Sequence, residues 1–218
     1  MGRVDINVEA SMLSSHLAMP REGHMLELLH VFVYLKKHMN MEMVFNPSKT
    51  EIHMNFFQRQ DWSYYMYSSP DEELKEALTP NIPKPLGHGF KIRFFVDADH
   101  AGESLTRRSQ TGFIVMLNNA PIYWHSKNQT SVETSTFGSE MMAMKQAADY
   151  IRGFFYKVRI FRIQVEEPSY MYDDNQSVLA GSTRPESTLN KKAQSIAFHF
   201  IREGCAADEW RTTYINKS

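Results

Sequence analysis

Three carboxylates in this chain stand where side chains can be brought to a common point. Asp97 closes the apolar run in "IRFFVDADHAG", Glu140 opens an amphipathic run, and Asp174 ends "SYMYDD". Carboxylates at the ends of strands and helices of an α/β layer can converge, because such layers present ligand-binding groups there. Three negative charges meeting at one place repel each other unless a cation lies between them. A hard divalent ion such as Mg²⁺ fits, since its preferred ligands are all oxygens. Taken singly, each has a plainer reading. An aspartate after a strand is often a turn former, Asp174-Asn175 can be the N-cap of a helix, and a glutamate in a helix's first turn suits the dipole. Only their joint placement points to metal.

Two neighbours must be set aside. Asp99, two residues on, shares a face with Asp97 in extended backbone, whereas Asp173 points opposite to Asp174. The triplet "YDD" also looks like the metal-binding turn of polymerases. That turn joins two strands, and here the following "NQSVLAG" reads as a helix instead.

The elements that would position these groups are legible in the hydrophobic pattern. "KIRFFVDA" (91–98), "GFIVMLN" (112–118) and "APIYWHSK" (120–127) read as three antiparallel strands, the last two joined by a tight turn at Asn118-Asn119. From Ser139 to about Arg159 the period switches to that of an amphipathic helix, with Glu140 in its first turn. "PSYMYDD" is a fourth strand, "NQSVLAG" a short helix stopped by Gly181, residues 188–206 a longer helix, and "EWRTTYIN" a fifth strand. The order β-β-β-α-β-α-α-β predicts an α/β fold, a mixed sheet of three antiparallel and then parallel strands flanked by helices. Upstream, "GHMLELLHVFVYLKKHM" is a helix with Lys36, Lys37 and His38 in its last turn, where cations suit the dipole. Between them, residues 71–89 hold prolines at 80, 83 and 85 and glycines at 87 and 89, a linker composition. The boundary is expected near residue 86, dividing a partly helical segment, 1–85, from an α/β domain, 86–218.

Composition narrows the function classes. With 218 residues, 42% apolar and 22% charged, the chain is of globular type. Its 24 basic and 25 acidic side chains nearly cancel, so any polyanion would have to be met by local clusters. One cysteine, Cys205, excludes an intrachain disulfide framework and suits a reducing compartment. No apolar run reaches 18 residues, and "MGRVDINVEA" carries charge where a signal peptide needs an apolar core. The expected location is intracellular, cytoplasmic or nuclear, and not secreted.

With these residues in view, the chain resembles a known family. "VDADHAGESLTRRSQTGFIVMLNNAPIYWHSKNQTSVETSTFGSEMMAMKQAA", "YMYDDNQSVLA" and "AFHFIREG" are similar, in order and spacing, to the ribonuclease H domain of copia-type retrotransposon polyproteins, most of all those of algae and diatoms. The likeness covers about residues 86–216. The upstream "GRVDINVEASMLSSHLAMPREGH…FVYLKKHM" looks like the connection segment that joins the reverse transcriptase to that domain. The resemblance implies a ribonuclease H-like fold and an endonuclease that hydrolyses the RNA strand of an RNA/DNA hybrid during reverse transcription. It implies two Mg²⁺ ions, with Mn²⁺ as a substitute, held by Asp97, Glu140 and Asp174. Its implied partners are the hybrid, or another nucleic acid, and the reverse transcriptase or the rest of the polyprotein, with no membrane. Gln176 falls where ribonucleases H contact the groove, though it also reads as a solvated helix start, and Asn175 is a further candidate substrate contact. Arg107, Arg108 and Lys127, with the pair Lys191-Lys192, are candidate phosphate contacts, each with the alternative of a solvated surface charge.

The family also has a fourth carboxylate, on a helix after the fifth strand, and this sequence ends at Ser218 without it. Whether the chain is an enzyme is therefore open at this stage. The alternative expectation is a weak or inactive element-derived remnant that binds nucleic acid or has only a structural role.

Overall fold

The fold is described from a computed structural model, which describes residues 3–57, 59–63, 80–103, 106–189 and 194–215. Two N-terminal helices, α1 (Asn7–Ser15) and α2 (Glu22–Lys37), precede an extended stretch that leads into the sheet. Strands β1 (Leu86–Asp99), β2 (Gln110–Leu117) and β3 (Ala120–Asn128) are followed by the long helix α3 (Thr136–Ile160). Then come β4 (Ile163–Asp173), α4 (Gln176–Thr183), α5 (Ser195–Ala206) and β5 (Trp210–Tyr214). The five strands form one sheet in the order β3-β2-β1-β4-β5, antiparallel from β3 to β1 and parallel from β1 to β5. The mixed sheet expected from the sequence is therefore present.

One face of the sheet is packed by helices. Ile92, Phe94 and Val96 of β1, Phe113 and Val115 of β2 and Met171 of β4 alternate inward and meet Met141, Met144, Ala147, Ala148 and Ile151 of α3. The alanines let the helix lie close to the strands, and each large side chain removed from water contributes about 1.5–3 kcal/mol. Farther along, Val178, Leu179, Phe198 and Ile201 extend the core to Trp210. Gly204 of α5 is required there, because the Trp210 ring occupies the space a Cβ would need. Buried Arg202 donates to the carbonyls of Gly181, Arg184 and Pro185, closing the end of α4.

The opposite face is covered by chain that precedes the sheet. Phe57, 2% exposed, stands edge-on to Tyr170 and Tyr172 of β4, and Tyr172 stacks on Phe95 of β1. Asn46 bridges to Asn119, Thr50 donates to the Asn119 side chain, and Arg211 of β5 donates to the Phe57 carbonyl. Trp62 then rounds the β5 edge to lie under Arg202, 4.8 Å from its ring centroid. Residues 46–57 and 59–62 thus serve as a second layer, although their sequence shows no period. No residue of α1 or α2 is buried; Met25, Leu29, Phe32 and Val33 of α2 are all more than half exposed.

Several boundaries differ from the sequence reading. Helix α1 is an addition; with nothing buried, it left no amphipathic signal. Strand β4 begins at Ile163 rather than Pro168. Its first residues pair with β1, and β5 joins only from Ser169, so Pro168 precedes the doubly paired part, where a missing N–H costs little. Residues 188 and 189, expected to begin the long helix, are irregular, and α5 starts at Ser195. The Asn118-Asn119 turn is as expected, with Asn118 at φ 52. Of the expected linker, residues 71–79 lie outside the described residues, and 86–89 belong to β1.

Two outcomes follow from this packing. Phe57→Ala should lower the unfolding free energy in urea by about 3–5 kcal/mol, although Phe57 lies upstream of every strand. His125 stacks on Phe113 at 4.8 Å, and burial, reinforced by Lys127, pushes its pKa down. The folded chain then binds its proton less readily than the unfolded chain, so stability contributed by His125 is present above about pH 6.5 and is lost as pH falls below it. Thermal melts at pH 7.5 and 5.5 should show a larger loss for wild type than for His125→Gln.

Candidate metal centre

Asp97 lies on β1 opposite Gly112 of β2, on the same face as Arg93 and Phe95. Its strand neighbours Val96 and Ala98 turn toward α3, which leaves the Asp97 carboxylate exposed at the carboxyl end of the strand. Arg93, a cation on the same face of β1, is drawn away to the other end, where it donates to the Asn118 carbonyl and the Asn119 side chain.

Glu140 comes from α3, and its setting corrects the sequence reading. The helix starts at Thr136 rather than Ser139, because Ser135 is its N-cap and accepts a hydrogen bond from the Gly138 N–H at 3.2 Å. Glu140 is therefore one full turn inside, beyond the free amides that would favour a first-turn acid. It is only 7% exposed, flanked by fully buried Ser139 and Met141. The dipole reading is removed, and a carboxylate is left in an apolar wall.

The third carboxylate belongs to a turn in which three consecutive residues have separate tasks. Asp173 is fully buried and accepts the Asn175 N–H at 2.7 Å, which closes the turn after β4. Asn175 accepts from the N–H groups of Ser177 and Val178 at 3.0 and 3.2 Å, capping α4. Asp174, between them, points the other way. One carboxylate oxygen from each of Asp97, Glu140 and Asp174 lies within 4.8 Å of the others, with Asp97 exposed, Glu140 buried and Asp174 between. The donor set is all oxygen, so the residues present fit a hard divalent ion.

The remaining candidates lie around this point without joining it. The Asp99 carboxylate folds over Gly102, and His100 Nδ1 is 3.5 Å from Ser109 Oγ, so neither enters the cluster. Arg107 and Arg108 are exposed on the β1–β2 loop, and Lys127 is exposed on β3 opposite Thr111, all at the carboxyl end of β1. Gln176, the first residue of α4, is exposed and lines a cavity of about 530 Å³ with Arg59, Arg184 and Arg211. Asn175 has its side-chain oxygen engaged by the helix cap. Lys191 and Lys192 lie outside the described residues. The sequence reading passed over the task of Asp173; the only signal was its inward parity, which placed it opposite Asp174.

Among known proteins, no family model matches the chain. Over 177 residues, 73% of the chain, it is 27% identical to the retrovirus-related Pol polyprotein from transposon RE2 of Arabidopsis thaliana. It is also 27% identical over 113 residues, 51% of the chain, to the corresponding polyprotein from transposon TNT 1-94 of Nicotiana tabacum. The chain is homologous to copia-type transposon Pol polyproteins. These Pol homologues are far longer, the match taking in 12% of the RE2 polyprotein and 8% of the TNT 1-94 polyprotein. Among solved structures, LC11-RNase H1 in complex with an RNA/DNA hybrid aligns over 58% of this Pol-related chain and 86% of its own, with 13% identity and a TM-score of 0.46. Among the described residues, no helix is long and apolar enough to cross a membrane.

Crowded carboxylates make a direct prediction. With divalent ions removed by chelation, Asp174→Asn should raise the melting temperature by about 2–4 °C, the shift expected from about 1 kcal/mol of relieved repulsion in a chain of this size. Adding millimolar Mg²⁺ should raise the melting temperature of wild type and leave that of the variant nearly unchanged.

Proposed function

We propose that the chain acts as a metal-dependent endonuclease of ribonuclease H type, hydrolysing the RNA strand of RNA/DNA hybrids in retrotransposon reverse transcription. The observation that carries this reading is the meeting of Asp97, Glu140 and Asp174 within 4.8 Å at the ends or inner turns of three separate elements. Homology to transposon Pol polyproteins supports the setting, and the all-oxygen donor set supports Mg²⁺, with Mn²⁺ able to replace it.

In this reading Asp97, Glu140 and Asp174 hold the ions. When bound, the divalent ions lower the pKa of a water to make the nucleophile and take up charge on the leaving 3′ oxygen of the scissile phosphate. Glu140, fixed in a packed helix, sets the inner wall of the site. Asp97 faces solvent, the side from which a phosphodiester would approach. Arg107, Arg108 and Lys127 neutralise phosphates from the neighbouring loop and strand, and each such contact weakens binding as salt rises. Gln176 reaches the minor groove, where the 2′-OH distinguishes RNA from DNA. Asn175 contributes through its amide NH₂, since its oxygen caps α4. The reverse transcriptase or the remaining polyprotein is the partner in this setting, and the compartment is cytoplasmic or nuclear.

The test is cleavage of a synthetic RNA/DNA hybrid in Mg²⁺ and in excess chelator. Wild type should cut the RNA strand only with Mg²⁺, and Asp97→Asn should lower kcat by at least about 100-fold, above the cost usual for losing an outer-shell group. Wild-type cleavage no faster than the variant's would overturn the enzymatic reading. Hybrid binding retained in that case would favour a nucleic-acid-binding remnant.

A further inference from the structure

The loop between β3 and α3 contains a buried amide outside the carboxylate cluster. Gln129 is 1% exposed. Its Nε2 donates to Thr111 Oγ1 at 3.0 Å and to the Ser139 carbonyl at 2.8 Å, and its backbone N–H donates to the Ser109 carbonyl at 2.8 Å. The two anchors of the side chain each lie beside a candidate ligand. Thr111 pairs with Ala98 and is followed by Gly112, which pairs with Asp97. The Ser139 carbonyl belongs to the peptide bond that leads into Glu140. One side chain thus joins the sheet end bearing Asp97 to the helix turn bearing Glu140.

The orientation of the amide is fixed, because a carbonyl can only accept. Turned over, Gln129 would set its own oxygen against the Ser139 carbonyl. In the orientation adopted, Gln129 Oε1 is buried with no hydrogen-bond partner among the described residues. The two bonds that Nε2 donates are thus the ones that tie the strand end to the helix turn. The rest of the loop is tied down as well. Glu133 accepts from Ser131 Oγ and from Gln194 Nε2, and a Cβ on Gly138 would crowd both Glu133 and Gln194.

We infer that Gln129 is a positioning residue for the metal site. It holds the first turns of α3 at the height that brings Glu140 level with Asp97. This inference rests on the metal reading given above.

The test uses the full chain, with Mn²⁺ as the probe read by electron paramagnetic resonance, so that binding is measured independently of cleavage. Gln129→Met keeps the length and bulk of the side chain, removes both donated bonds and removes the unmet oxygen. It should weaken Mn²⁺ binding about 10-fold, as loss of an orienting group beyond the ligands does. Its circular dichroism and melting temperature should stay close to wild type. Thr111→Val, which removes one anchor at constant shape, should weaken binding less, in the same direction. Folded Gln129→Met binding Mn²⁺ as tightly as wild type overturns the positioning role while leaving the metal reading intact. A wild-type chain that binds no divalent ion overturns both. Should Gln129→Met not fold, Thr111→Val decides: weakened binding supports the role, and unchanged binding overturns it.

Discussion

Like charge is the constraint on which this structure turns. Three carboxylates within 4.8 Å of one another do not gather of their own accord, so the energy that holds them there must come from elsewhere. It comes from the apolar contact between α3 and the sheet. Met141 and Met144, within a turn of Glu140, are fully buried against strands whose ends carry the aspartates. The site is thus stabilised indirectly, with hydrophobic burial offsetting an electrostatic cost. The same crowding makes the cluster a place where a cation would relieve repulsion.

This division accounts for what could be read in the sequence. Strands β1 to β3 announce themselves by alternation, and α3 by its helical period, because burial on one face imposes those periods directly. Asp97 and Asp174 were legible for the same reason, as carboxylates abruptly ending apolar runs. Glu140 was found too, but with the wrong local explanation. The start of α3 depends on the Ser135 cap, and nothing in the hydrophobic pattern records a cap six residues before the first well-buried apolar residue, Met141.

What stayed hidden is non-local or single-residue in origin. The cover that precedes the sheet depends on one ring, Phe57, meeting Tyr170 and Tyr172 more than a hundred residues later, and a single contact has no period. The first half of β4 was missed because its charged residues and Pro168 read as loop. Only the late arrival of β5 beside it makes them tolerable in a strand. Helix α1 buries nothing, so the usual signature of a helix in a folded chain is missing from it.

The turn Asp173-Asp174-Asn175 has a consequence for how this protein can vary over generations. Its three residues differ in task only through the direction each faces, and direction is set by counting along the strand. Gaining or losing one residue anywhere from Tyr170 to Asp173 would exchange the buried anchor for the outward carboxylate. Lineages of this protein should therefore vary here by substitution and not by change of length, whereas the β1–β2 loop, which no such count governs, is free to grow and shrink.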